Sequence, residues 1–522
     1  MHSKKRFVLL CWLIALVLCS SFYNPPSLKA QTVLSSPATF GNVTVEDLFG
    51  RPLNSSELVL VDWEGYLANP AVQFSLHPPP ETAYPATVTL SANSDRLYFN
   101  LPSFVGESGP SKTLTLTDTN SPTTAWIAIF PDRDSMDESY QLTISLTDAA
   151  ARQSITTINL RVIDQDRERP ADFHIQVDFS KDQSGLFADP AKQAIVQSAA
   201  DDWAYFLADM QLDQVPAGAE STWVWQPTGF VTGTHALNPT PYTGFLLYAY
   251  GIHTDALRSG GAGSYDGGFQ SSHGIPYLVR RSGGIAVETN GNYNSLGWFL
   301  TRSDQDWWQS ANASDQPHDL YSIMHHEVGH ALIFNDAYPR FAEAKNRGLL
   351  EDPAILAYHG APLPIDQNDH MDSVFDDASK KGAYGSDYLG EMPQRRWQIT
   401  KLDLLAAQAI GYSLRQTSAF VPLTVTPVNL PFGSPAIPYA TTLGAVGGVP
   451  AYDWSIVSGA LPPGLVLNSF TGAITGTPTA PGAFTFMIRL RDQTSVNGGG
   501  IIPPTKAIAG TSSPPYLPLV HC

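Results

Sequence analysis

Of the 522 residues, 82 are glycine or proline, 41 of each, and such a density of turn formers leaves little room for long uninterrupted helices. Many short strands are expected. Disorder is not the alternative: a composition that is 43% hydrophobic, 11% aromatic and only 15% charged supplies ample apolar side chain for a core. The length exceeds one ordinary domain of roughly 100–200 residues, so about three are expected.

Thirty Lys and Arg against 48 Asp and Glu give a net charge of −18. That balance repels phosphate backbones and provides no basic stripe, which excludes nucleic acid as a partner. Residues 1–30 have the layout of a secretory signal: basic Lys4, Lys5 and Arg6, an apolar run from Phe7 to Leu18, and a polar stretch with Pro25 and Pro26. The apolar run is shorter than the ~20 residues of a bilayer span, so the expectation is bacterial export, cleavage near Ala30, and a secreted chain with no membrane span. Cys11 and Cys19 lie inside that signal and only Cys522 follows it. No intrachain disulfide can then form, and the expectation is a bacterial exported protein held together by core burial, with or without metal.

Along the chain, Leu58–Trp63, Ala86–Leu90, Leu114–Thr117, Tyr140–Leu146 and Ile155–Val162 alternate apolar and polar side chains between Pro- and Gly-bearing turns. Residues 31–170 are expected to form an all-β sandwich closed by the charged stretch Asp164–Pro170. Residues 171–415 read as an α+β domain. Phe173–Phe179 is a strand, and Asp189-Pro190 opens a helix with Val196, Ala199, Ala200, Trp203, Leu207 and Met210 on one stripe. Phe245–Tyr250 and Ile285–Glu288 are further strands, separated by a glycine-rich loop over 259–268. Residues 420–493 return to strands, and 494–522 read as a Gly/Pro/Ser-rich tail.

Chemistry concentrates in Tyr321–Asp336, YSIMHHEVGHALIFND. On a helix, His326 and His330 project from one face about 6 Å apart and can share a metal ion. Glu327 sits one position on, about 100° around, where it can reach a water at that metal. Asp319 is placed to cap the helix and Asn335 to end it in a left-handed turn. His325 points off the ligand face and reads as structural. With too few thiols for a structural zinc cluster, a four-coordinate site open to water needs one more protein ligand. Asp336, six residues past His330, and His370, in Asp366–Ser373, are both candidates, with His359 and Asp369 as nearby alternates.

Two resemblances follow from these residues. Within Gly447–Gly482, Trp454, Leu461–Leu465, Gly472, Gly476–Pro478 and Phe484–Phe486 match the recurrent positions of an immunoglobulin-like module of bacterial surface and secreted proteins, which implies a C-terminal immunoglobulin-like β-sandwich. HEVGHALIF at 326–334, His370, Met392 in Gly390–Pro393 and the segment Ile399–Tyr412 together resemble the leishmanolysin-like branch of the metzincin peptidases. Ile333 departs from that pattern where a glycine is usual.

The resemblance implies a zincin-like metallopeptidase domain with His326, His330 and His370 as Zn2+ ligands, Glu327 as general base and Met392 as the floor beneath the metal. Tyr388 is a candidate to assist the oxyanion. The expected function is a secreted zinc-dependent endopeptidase acting on protein or peptide substrates through a water activated by Glu327, with the β modules positioning it or contacting a surface or polymer. The alternatives are a non-catalytic adhesion protein using the same domain as a metal-stabilised scaffold, and a zinc hydrolase of non-peptide amides or esters.

Overall fold

The computed structural model describes residues 40–53, 57–100, 109–121, 123–167, 173–208, 212–226, 233–253, 260–263, 281–288, 298–299, 304–309, 318–336, 338–367, 369–370, 396–426, 430–493 and 506–508. All belong to one compact unit. The signal-like residues 1–30 lie outside the described residues.

The N-terminal region is a two-sheet structure. One sheet has the order β1 (Thr44–Asp47), β3 (Val72–His77), β7 (Thr124–Ile129) and β5 (Leu97–Asn100). The other runs β2 (Leu58–Asp62), β9 (Gln153–Asp164), β8 (Glu138–Thr147), β4 (Ala86–Ala92) and β6 (Ser111–Leu116). Every pairing is antiparallel except β2 with β9. The period-two alternation drives this: Leu142, Ile144 and Leu146 of β8 point inward to meet Phe74 of β3 and Ile127 of β7 in one core.

Downstream, β10 (Ile175–Asp178), β13 (Phe245–Ile252), β15 (Ser282–Glu288) and β14 (Gly260–Gly263) form a mixed sheet in that order; β14 is antiparallel to β15 and the other neighbours are parallel. Strands β11 (Ser221–Trp225) and β12 (Gly233–Leu237) make a separate hairpin. Every residue of β13 is buried, as a strand covered on both faces must be. Residues 260–263 (GGAG) were expected in a loop; they form a strand instead, paired antiparallel with β15. Helix α1 spans Pro190–Phe206 behind an Asp189 cap that accepts from the Ala191 N–H. Leu207, assigned to its stripe, lies just past the end in extended backbone, and Met210 is outside the described residues. Among the described residues the further α-helices are α2 (Leu320–Leu332), α3 (Pro339–Arg347), α4 (Pro353–His359) and α5 (Lys401–Ile410).

At the C-terminus, Tyr439–Thr442, Ala473–Gly476 and Leu465–Leu467 form one small sheet, and Asp453–Gly459, Phe486–Arg491 and Lys506–Ile508 another. The last of these strands falls in the stretch read as a tail. Between the sheets lie Trp454, Leu465, Ile474, Phe486 and Leu490. Gly472 has φ +69°, and a Cβ there would stand 2.9 Å from the Trp454 ring, so both backbone and space require glycine.

The architecture is thus mostly β and multidomain. The N-terminal sandwich and the C-terminal module each have a core of their own, and one edge of the sandwich also joins the core of the central region. Val61, Trp63, Tyr66 and Leu67 of the N-terminal sandwich share a continuous apolar core with α1, α2, α5 and the central sheet. Backbone bonds run Ala68 N–H to Ile399 O (2.8 Å) and Ile399 N–H to Tyr66 O (3.2 Å).

Candidate metal centre

Helix α2 carries the histidines. Asp319 occupies its N-cap, but its side chain makes no bond to a helix N–H; Oδ2 accepts from the Ser322 hydroxyl (2.5 Å). At the other end the expected left-handed stop at Asn335 is replaced by a C-cap at Ile333 with φ −130°, which keeps φ negative. Asn335 acts through its side chain instead: Nδ2 donates to the His330 carbonyl (2.6 Å). The Tyr338 hydroxyl donates to Ala331 O (3.3 Å) and the Tyr412 hydroxyl to Leu332 O (2.7 Å). Carbonyls that a helix end leaves without helical partners are thereby met by side chains from other segments.

The structure brings His326, His330 and His370 together, with one ligand atom from each within 4.8 Å of the others. His330 Nε2 lies 3.1 Å from His326 Nε2 and 3.3 Å from His370 Nε2. Tetrahedral coordination at the usual ~2.0–2.1 Å Zn–N length sets nitrogens about 3.3–3.4 Å apart, so the donor set fits Zn2+. The tautomer fits as well: His330 Nδ1–H donates to Phe334 O (3.1 Å), which leaves Nε2 as the unprotonated nitrogen. Removal from water, together with neighbouring His370 and Lys345, pushes His330 down to about 3 against the upward pull of the Phe334 carbonyl, so the ring is neutral at ordinary pH. Trp397 meets the His326 ring edge to face at 5.6 Å.

His370 returns through a local brace. Ile365 N–H bonds to Gly348 O (3.0 Å), Leu349–Leu350 pairs with Leu363–Pro364, and the His370 N–H bonds to Asp366 Oδ1 (2.9 Å). Asp336 is not in the cluster; it is 62% exposed and paired with Lys345 Nζ at 3.1 Å. Asp369 pairs with the same Lys345 at 2.6 Å, and His359 ends α4 outside the cluster. Glu327 is buried on α2, one residue past His326 and three before His330, beside the ligand stripe. Met392 and Tyr388 lie outside the described residues.

His325 is fully buried beneath the site. It stacks on Tyr321 (5.2 Å, 19°), and its carbonyl accepts from Trp203 Nε1 (2.9 Å). A group that sequence patterns did not mark lies there too. Tyr321 and Arg133 both donate to Asp202 Oδ2, the latter at 2.7 Å, and the Arg133 guanidinium sits 4.3 Å over the Trp307 ring. Arg133 comes from the loop between β7 and β8, so the N-terminal sandwich reaches under the histidine helix.

A second set of ligand-type atoms, from Asp62, Asp132 and Asp164, also lies within 4.8 Å. The Arg96 guanidinium binds Asp62, Asp132 and Glu138 there. This is an ion network closing the sandwich.

Among known proteins, residues 416–502 match a family profile described as "Putative Ig domain", well under half of the chain and entirely beyond the histidine cluster. This places an immunoglobulin-like module where Trp454 and Gly472 pack. No curated protein matches. Solved structures include the N-terminal domain of PorA (12% identity, TM-score 0.18, covering 24% of this chain and 97% of that one). The periplasmic chaperone SfaE is similar at 9% identity and TM-score 0.16, over 47% of this chain and 100% of that one. A PapD-like domain of human CEP192 matches at 11% and 0.16, over 27% and 98%. Likenesses at these scores carry no argument about activity.

Proposed function

We propose that the chain is an exported zinc-dependent endopeptidase whose central region is a zincin-like domain. The observation that carries this reading is the convergence of three imidazole Nε2 atoms beside Glu327. His326, His330 and His370 would hold the metal, and the resemblance to leishmanolysin-like peptidases rests on those residues and on HEVGHALIF. When bound, Zn2+ brings the pKa of a coordinated water toward ~7 and offers positive charge to a carbonyl oxygen. Glu327 takes the proton from the attacking water and passes it to the leaving amine. Trp397 walls the His326 side.

Among the described residues no helix is long and apolar enough to cross a membrane. The immunoglobulin-like module favours a second reading, a surface-binding protein in which the metal only stabilises the scaffold. Elemental analysis of the purified chain and a casein digestion separate the two. About one zinc per chain, with casein cleavage abolished by Glu327→Gln while the metal stays bound, supports the peptidase. Zinc without cleavage supports the scaffold, and cleavage retained by Glu327→Gln removes the assigned base.

A further inference from the structure

The third imidazole is separated from the second by a 39-residue excursion, and nothing in helical spacing returns it to the same point. Closing such a loop costs conformational entropy, and a ligand on its far end is held in place only if something else fixes the return. The β pairing at Leu349–Pro364 brings the chain near, Asp366 braces His370 through hydrogen bonds with its N–H and carbonyl, and a further link to the site is electrostatic. Lys345, in the final turn of α3, extends Nζ between Asp369 Oδ1 (2.6 Å) and Asp336 Oδ2 (3.1 Å). Asp336 is six residues beyond His330 and Asp369 is one residue before His370. A single ammonium therefore clips the chain leaving the second imidazole to the chain delivering the third. Asp369 has φ +69°, a left-handed conformation that aspartate takes more readily than most non-glycine residues.

We infer that Lys345 is a positioning residue for the metal centre, one that presets His370 through Asp369 and accounts for the carboxylate of Asp336 as a clip partner instead of a ligand. This rests on the zinc reading above. The two arms of the bridge are unequal: the Lys345 side chain is 16% exposed and Asp369 25%, whereas Asp336 is 62% exposed and its share is screened by water.

The test is zinc affinity by chelator competition on the full chain, with far-UV circular dichroism and urea midpoints alongside. Lys345→Met is expected to weaken zinc binding about 10–100-fold, the usual effect of losing a residue that orients a ligand, with little change in urea midpoint. Asp369→Asn should reproduce that loss, Asp336→Asn should show a smaller one, and Lys345→Arg should restore most of it. Salt should weaken zinc binding by the wild type more than by Lys345→Met. If Lys345→Met does not fold, Asp369→Asn carries the measurement. Wild-type affinity in both Lys345→Met and Asp369→Asn overturns the inference while leaving the zinc reading intact. A wild-type chain that takes up no zinc overturns both.

Discussion

Arg133→Met is the substitution whose effect the structure makes most specific. The guanidinium loses its 2.7 Å contact to Asp202 and its place over Trp307. Asp202 is fully buried and would keep its bond from the Tyr321 hydroxyl as its remaining described charge-assisted support. Breaking one side of a buried ion pair costs about 3–5 kcal/mol, and the surviving Tyr321 donor puts this case at the lower end, about 3 kcal/mol. Asp202→Asn should cost less, about 1–2 kcal/mol, because Arg133 is 19% exposed, reaches water and stays on the Trp307 face. In the double variant no buried charge is left uncompensated. The two effects should therefore fall short of adding by about 1–2 kcal/mol. Urea unfolding followed by tryptophan fluorescence reads this directly, since Trp203 and Trp307 border the network. A cost below about 1 kcal/mol for Arg133→Met, or an additive cycle, refutes the assignment of Arg133 as a support of the histidine helix. A cost of the expected size also means that the N-terminal sandwich cannot be removed as a pro-segment without loosening α2.

Further outcomes concern the metal and pH. His370→Ala should abolish stoichiometric zinc, whereas Asp336→Ala should leave zinc bound with at most a modest loss of affinity; elemental mass spectrometry of the two variants decides. In the sandwich, burial and neighbouring acids push Glu138 up to about 7 and Asp164 up to about 6, against the pull of Arg96. Folded-state values raised above the unfolded ones mean stability that is fully present below about pH 4 and is lost as pH rises through about 6–7. Glu138→Gln and Asp164→Asn should each flatten the pH dependence of the urea midpoint between about pH 4 and 7, and an unchanged slope in both removes the network from that role.

The parts legible in the sequence were those governed by short periods. Period two marked the strands of the sandwich, period 3.6 marked α1 and the pairing of His326 with His330, and the Trp454–Gly472 pattern marked the C-terminal module. What escaped was fixed by contacts between distant segments. Arg133 sits in a sandwich loop with no local signal that its partner is Asp202. Asn335 looked like a backbone stop because its type tolerates φ > 0, yet it works as a side-chain cap. Lys345 carries no local signal either, because its partner Asp369 comes back to it only through the return of the chain. The parallel pairing of β2 with β9 follows from no local turn, since parallel neighbours are joined by long connections.

The bonds that join the sandwich to the rest of the chain also set an order of events in time. Glu64 Oε1 accepts from the Ser418 N–H across 354 residues, and Gln493 Nε2 donates to the Val59 carbonyl across 434. Loops of that length add little to the equilibrium cost, because closure entropy grows only logarithmically, but they delay the contact, because folding slows as sequence separation grows. A chain emerging from its N-terminus can complete the ladder from β2 to β9 early. The edge at Tyr66–Ala68 must then wait for Ile399, and the histidine helix gains its last walls only once nearly the whole polypeptide is present. On the proposed zinc reading, metal capture by the three imidazoles would then be a late step of maturation.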